Sequence, residues 1–226
     1  MQTKNIQYYN NKYFEWQKTA GKLGGILDLF KFKEFIMPTD KVIDFGCGGG
    51  YLLANINCAE KKGIEINENA WPFAKQNKVD VVKSAEDIQD NWADVIISNH
   101  ALEHTLNPYG ELRKLYPKLK KGGRIVFVLP HEIRSKYIPG DVNQHLYTWS
   151  PMCAGNLFTT AGYKVERVET IKYQWPPYYQ REILTCLGKG TFDLLSRIYA
   201  RVYPFLITAK TVRNIYHLQV RVIARK

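Results

Sequence analysis

The sequence predicts an α/β domain built on a mostly parallel sheet with helices on both faces. Three observations carry this: short apolar runs recur along the chain, stretches with helical spacing separate them, and the first run leads into a glycine-rich turn. That first run is Val42-Ile43-Asp44-Phe45, followed by Gly46-Cys47-Gly48-Gly49-Gly50 and the helix-compatible Tyr51-Leu52-Leu53-Ala54. A buried parallel strand hands over in this way to a helix whose amino end faces a ligand. Glycines allow the tight turn and let backbone approach the ligand where a side chain would block it. A dinucleotide-type G-x-G-x-x-G would need glycine at position 51, where Tyr51 stands; the glycines fall instead at 46, 48 and 50.

The later elements follow in order. Gly63-Ile64-Glu65-Ile66 ends a second run with an acid about 20 residues beyond the first, the distance at which such folds take the two hydroxyls of a ribose. The next helix is expected to start near Asn67-Glu68-Asn69 and to carry Trp71 and Phe73 against the sheet. Val79-Asp80-Val81-Val82 is a third strand, followed by the small and acidic turn from Lys83 to Asp87; Ala93 to Ser98 carries the fourth, and Gly123 to Pro130 the fifth. Between the last two, Tyr109 to Leu119 reads as a helix that Pro117 distorts and Lys120-Lys121-Gly122-Gly123 stops. Ser150-Pro151 pairs an N-cap with proline at the first helical position, and Ala161-Gly162 closes that helix. A sixth strand follows Gly162-Tyr163, and His217 to Ala224 is the last.

The ordered motifs resemble those of class I S-adenosylmethionine-dependent methyltransferases. Asp44 with the G-x-G-x-G spacing is similar to the first motif, "DVIISNHALEHTLNP" to the fourth, and "LRKLYPKLKKGGRIVFVLP" to the helix, turn and fifth strand after it. The likeness covers roughly residues 40 to 170. It implies a Rossmann-like sheet of seven strands, an N-terminal helical lid over 1–39, a cofactor core over 40–172, a helical insertion over 173–215 and a last strand over 216–226, as one domain. It also implies S-adenosylmethionine as cofactor and S-adenosylhomocysteine as product. Gly46, Cys47 and Gly48 would pass under the methionine part, Asp44 would orient the loop, Glu65 would hold the ribose with Ile66 beside it, and Ser84, Ala85 and Glu86 would line the adenine. Many relatives have Asp where Ser84 stands, which leaves the adenine contact to backbone of Ala85 and Glu86. Asn99 and His104 belong to the cofactor side of the fourth motif. His100, His131 and His145 are the candidate bases, because a hydroxyl acceptor must lose its proton during transfer.

Composition bounds the rest. The chain has 226 residues, a size that fits one decorated α/β domain. Cys47, Cys58, Cys153 and Cys186 lack C-x-x-C or Cys/His ligand spacing, so reduced thiols and no catalytic metal are expected. The N-terminus has no apolar signal core and no run reaches a membrane span, so a cytoplasmic protein is expected. A net charge of +11 favours an acidic partner or is simply a solvated basic surface. The stretch after the fourth strand lacks the prolines and aromatic that grip a flipped base, so methylation of DNA is not expected. The expected acceptor is a small, sugar-like or lipid-linked molecule, methylated on oxygen or nitrogen; RNA methylation and a non-catalytic cofactor-binding role are the alternatives. Aromatics near the N-terminus either fold over the cofactor or cover a sheet edge. Leu194, Leu195, Ile198 and Val202, flanked by Arg197 and Arg201, form either a helix packed on the sheet edge or one making weak contact with an anionic membrane.

Overall fold

The structure, a computed structural model, describes residues 21–22, 24–132, 137, 139, 144–173, 194, 198 and 217–226. Its elements in chain order are β1 (Lys41–Phe45), α1 (Tyr51–Ala54), β2 (Glu60–Ile64), α2 (Trp71–Gln76), β3 (Asp80–Val82), β4 (Ala93–Asn99), α3 (Pro108–Leu115), β5 (Leu119–His131), α4 (Pro151–Thr160), β6 (Lys164–Tyr173) and β7 (His217–Arg225). The seven strands form one sheet in the order β3-β2-β1-β4-β5-β7-β6. Strands β1 to β5 pair in parallel, while β7 runs antiparallel between β5 and β6. The chain winds outward from β1 to β3 and then crosses back to β4 beside β1. That reversal opens a crevice at the carboxyl ends of β1 and β4, where ligands meet an open α/β sheet.

Both faces of the central sheet are covered, which is why β1, β4 and the second half of β5 are nearly continuous apolar runs. Alternate residues serve opposite cores, as the two-residue period of a strand requires. Ile43, Phe45, Ile96, Phe127 and Leu129 face Leu112, Leu115 and Phe158 on one side. Val42, Val95, Ile97, Val126 and Val128 face Phe32, Leu52, Leu53 and Ala74 on the other. Each fully buried side chain of this kind contributes about 1.5–3 kcal/mol.

Local chemistry sets most element ends. Ser150 Oγ accepts from the Cys153 N–H at 3.1 Å, with Pro151 opening α4. Asn107 caps α3 through the Gly110 N–H at 2.9 Å. One expectation needs correction. Lys120 to Gly123 do not stop the helix: α3 ends at Leu115, Tyr116–Lys118 tighten into a 3-10 turn containing Pro117, and the lysines already belong to β5. Lys120 instead pairs with Asp94 at 2.6 Å, tying the start of β5 to β4. In α2 it is Ala74 that is buried, while Trp71 is only partly buried against that core. Asn67 caps the preceding 3-10 turn, Glu68–Ala70, and Trp71 packs against the core as expected.

Of the expected N-terminal lid, residues 24–27 are helical and Asp28–Lys31 continue as a 3-10 turn; the aromatics before residue 21 lie outside the described residues. So does the 174–215 insertion with its arginines, apart from Leu194 and Ile198, which are helical and exposed. No helix among the described residues is long and apolar enough to cross a membrane.

Candidate active site

The glycine loop sits at the mouth of the crevice. Gly46, Gly48 and Gly50 have φ of +75°, +51° and +72°, the left-handed region that side chains with a Cβ rarely enter. At Gly46 a Cβ would also stand 2.3 Å from the Cβ of Ala101, so the β1 loop and the turn after β4 touch there. The loop is pinned to β2 by the Gly46 and Cys47 N–H groups, which both donate to the Ile64 carbonyl at 2.9 and 3.2 Å. Cys47 turns its side chain inward: a Cβ on Gly63 would lie 2.3 Å from its Sγ. Burial, with Asp44 and Glu65 nearby, pushes the Cys47 thiol well above its usual range, which disfavours the thiolate.

Two carboxylates frame this loop. Glu65 Oε2 accepts from the Gly48 N–H at 2.8 Å and Oε1 from the Asn67 N–H at 2.7 Å. Burial raises its pKa, against the backbone N–H groups of Asn67, Gly48 and Ile66. Asp44 is 3% exposed. Burial and then the Glu65 charge hold Asp44 well above the ordinary carboxylate range. Two close acids suit a ligand that brings positive charge and hydroxyl donors. A carboxylate offers about four lone-pair sites, so Glu65 can hold the loop and a diol together. The residues present therefore fit S-adenosylmethionine, whose sulfonium and ammonium are cationic and whose ribose carries two hydroxyls.

The remaining cofactor-side candidates differ in what they offer. Ile66 is 53% exposed at the end of β2, an apolar surface beside Glu65. Ser84 Oγ accepts from the Glu86 N–H at 3.2 Å as the cap of the 3-10 turn Ala85–Asp87, in which Ala85 is buried. Glu86 points into solvent: Ser84 and then Lys114, 3.4 Å away, lower its pKa. The Asn99 side chain is already engaged, donating to Asp28 Oδ2 at 2.9 Å and accepting from Lys31 Nζ at 3.2 Å. Lys31, 1% exposed, also pairs with Asp28 at 2.9 Å. This part-buried triad fastens the N-terminal turn to the tip of β4, and nothing in the local spacing announced it.

Opposite the glycine loop stands the histidine rim. His100 has φ +56°, an uncommon conformation for a non-glycine residue at the end of a strand. Its N–H is held by the Val128 carbonyl at 2.9 Å. Its Nδ1 lies 3.3 Å from Oε1 of Glu103, a fully buried acid the sequence did not single out. His145 Nε2 approaches the same oxygen at 3.8 Å, and His145 Nδ1 lies 3.3 Å from Glu132 Oε2. His104 meets His145 edge to face with ring centroids 4.9 Å apart. Burial lowers the His104 pKa, opposed by Glu103 and reinforced by His145. His131 stands apart from this cluster, with Nδ1 2.6 Å from the Trp149 carbonyl. A carbonyl only accepts, so Nδ1 carries a proton, and in the neutral ring the lone pair is on Nε2.

A parallel sheet with an antiparallel β7, a glycine loop at its reversal point and paired acids beside that loop define a class I S-adenosylmethionine-dependent methyltransferase domain. Residues 11–168 match a family described as a methyltransferase domain, and the chain belongs to that family. It is 26% identical over 140 residues to phosphoethanolamine N-methyltransferase 3 of Arabidopsis thaliana, covering 54% of this chain and 29% of that protein. It is also 26% identical over 124 residues to ubiquinone biosynthesis O-methyltransferase of Idiomarina loihiensis, covering 49% and 51%. The matched regions are thus about half or less of those relatives' length. Among solved structures, a SAM-dependent methyltransferase from Archaeoglobus fulgidus superimposes with a TM-score of 0.62 at 18% identity, covering 96% of this chain and 100% of that one. Phosphoethanolamine N-methyltransferase 2 of Haemonchus contortus, solved with S-adenosyl-L-methionine, gives 0.57 at 15% identity, covering 88% and 52%. These likenesses establish the fold.

Proposed function

We propose that the chain transfers a methyl group from S-adenosylmethionine to an oxygen or nitrogen of a small-molecule acceptor. The observation that carries this reading is the pair Asp44 and Glu65 flanking a left-handed glycine loop at the sheet's reversal point. When bound, S-adenosylmethionine supplies an electrophilic methyl on a sulfonium, which a nucleophile displaces in line. Positioning then supplies much of the catalysis. Glu65 holds the ribose hydroxyls while keeping the loop closed through Gly48. Asp44 orients the amino end of the methionine part. Ile66 gives the adenine an apolar face, and the backbone of Ala85 and Glu86 borders it. The acceptor enters over His100, His131 and the 144–149 segment. His131, whose neutral ring bonded through Nδ1 presents Nε2, is the base for a hydroxyl acceptor. One relative in the comparison is an N-methyltransferase and the other an O-methyltransferase, which supports both acceptor atoms. Calorimetry with S-adenosylhomocysteine, then a screen for its release from S-adenosylmethionine with pooled hydroxylated metabolites, phosphorylated amines and RNA, tests the reading. Binding of NAD(H) with no binding of either adenosyl compound would refute it.

A further inference from the structure

We infer that Glu103, His104 and His145 form a binding site for one divalent transition-metal ion, of the zinc, cobalt or iron(II) type, at the acceptor side of the crevice. The three side chains each present one ligand atom, and these atoms all lie within 4.8 Å of one another. Metal–ligand distances of about 2.0–2.2 Å require contacts nearer 3–3.5 Å between ligands, so side-chain rotations of about an ångström close the cage.

The second observation is the state of Glu103. It is fully buried, yet neither of its carboxylate oxygens makes a hydrogen bond among the described residues, and the same holds for Nδ1 of His145. The imidazoles of His100 and His145 approach Oε1 at 3.3 and 3.8 Å without the alignment of hydrogen bonds. A buried carboxylate is ordinarily hydrogen-bonded, paired with a cation or bound to a metal. With Glu132 3.3 Å from His145, the cluster holds two carboxylates, whose charge a divalent ion cancels. The site is also held from outside. The Leu146 N–H donates to the Glu103 carbonyl at 3.0 Å, and the Trp149 N–H to that of Pro130 at 2.9 Å. The Glu132 N–H donates to Thr148 Oγ1 at 2.7 Å. These bonds place His145 over Glu103 independently of the imidazole, the support a preorganised site needs.

Two imidazoles and one carboxylate suit borderline metals and leave coordination positions open; calcium and magnesium prefer all-oxygen sets. The turn that carries Glu103 and His104 abuts the cofactor loop through Ala101 and Gly46. An open position there takes an oxygen of the acceptor, which narrows the acceptor to a hydroxyl compound. This second part rests on the methyl-transfer reading; the metal site does not.

The test uses the full chain after dialysis against a chelator. Co(II) titration read by visible d–d absorption, and Zn(II) titration read by calorimetry, should each show about one ion per chain. His104→Ala and His145→Ala should each weaken binding by at least about 100-fold, more than loss of a supporting group does. Their metal-free melting temperatures should stay near that of the unsubstituted chain. Glu103→Gln serves as a third variant, and the two histidine variants decide the matter if it fails to fold. No Co(II) spectrum with folded protein, or unweakened binding in both histidine variants, overturns the site. Stoichiometric metal together with S-adenosylhomocysteine release that chelation leaves unchanged overturns the acceptor role alone. Absence of adenosyl binding with the Co(II) spectrum intact overturns the methyl-transfer reading and leaves the metal site standing.

Discussion

Replacing Asp44 with Asn is expected to stabilise the cofactor-free protein while weakening cofactor binding. Asp44 is 3% exposed, and burial and then the Glu65 charge work against its ionised form. Keeping a carboxylate charged in a buried place beside a second acid costs about 1–3 kcal/mol. Asn keeps the shape and removes the charge, so a gain of about 1–3 kcal/mol is expected at pH 8. For a chain of this length that raises the melting temperature by about 2–12 °C. The sign of the pH dependence follows from the raised folded-state pKa. Stability contributed by Asp44 is fully present below the ordinary carboxylate range and is lost as pH rises through the folded value. The advantage of the variant should therefore grow from mildly acid to alkaline pH. The difference between the two proteins is the readout, because Glu103, Asp94 and Glu166 have lowered values and act in the opposite direction in both. Loss of one charge-assisted contact to the ligand ammonium costs about 1.5–3 kcal/mol, or about 10- to 150-fold in Kd. Thermal unfolding across pH and calorimetry with S-adenosylhomocysteine measure both arms. A variant that melts lower than wild type at pH 8 and binds with unchanged Kd would refute the reasoning.

Two further changes follow from the same loop. Glu65→Ala strips the acceptor from the Gly48 and Asn67 N–H groups as well as from the ribose, so S-adenosylhomocysteine should bind more weakly by about 2–4 kcal/mol; an unchanged Kd in calorimetry would place the ribose elsewhere. Gly63→Ala drives a Cβ to within 2.3 Å of Cys47 Sγ, so urea denaturation should show a loss of about 1–3 kcal/mol. Adding Cys47→Ala should restore part of that loss, and no recovery would mean that the strain lies outside this contact.

The sequence by itself determined the architecture and the position of the glycine loop with Asp44 and Glu65 beside it. Strand alternation, the glycine spacing and the Ser150-Pro151 cap are local patterns. Physics acting over a few residues therefore suffices to read β1 to β7 and the places of Asp44 and Glu65. It misread Lys120 to Gly123, because a lysine-glycine run is equally compatible with a helix stop and a strand start. Pro117 ending the helical turn and Asp94 waiting across β4 decided the matter. Only the tertiary structure brought Asn99 to Asp28 and Lys31, which it meets across 71 and 68 residues. Only it set His145 against Glu103 and His104. Such clusters leave no periodicity or ligand spacing in the chain. Their members are gathered by where β4, β5 and the returning 144–149 segment end in space, and those ends are fixed by packing on the two faces of the sheet.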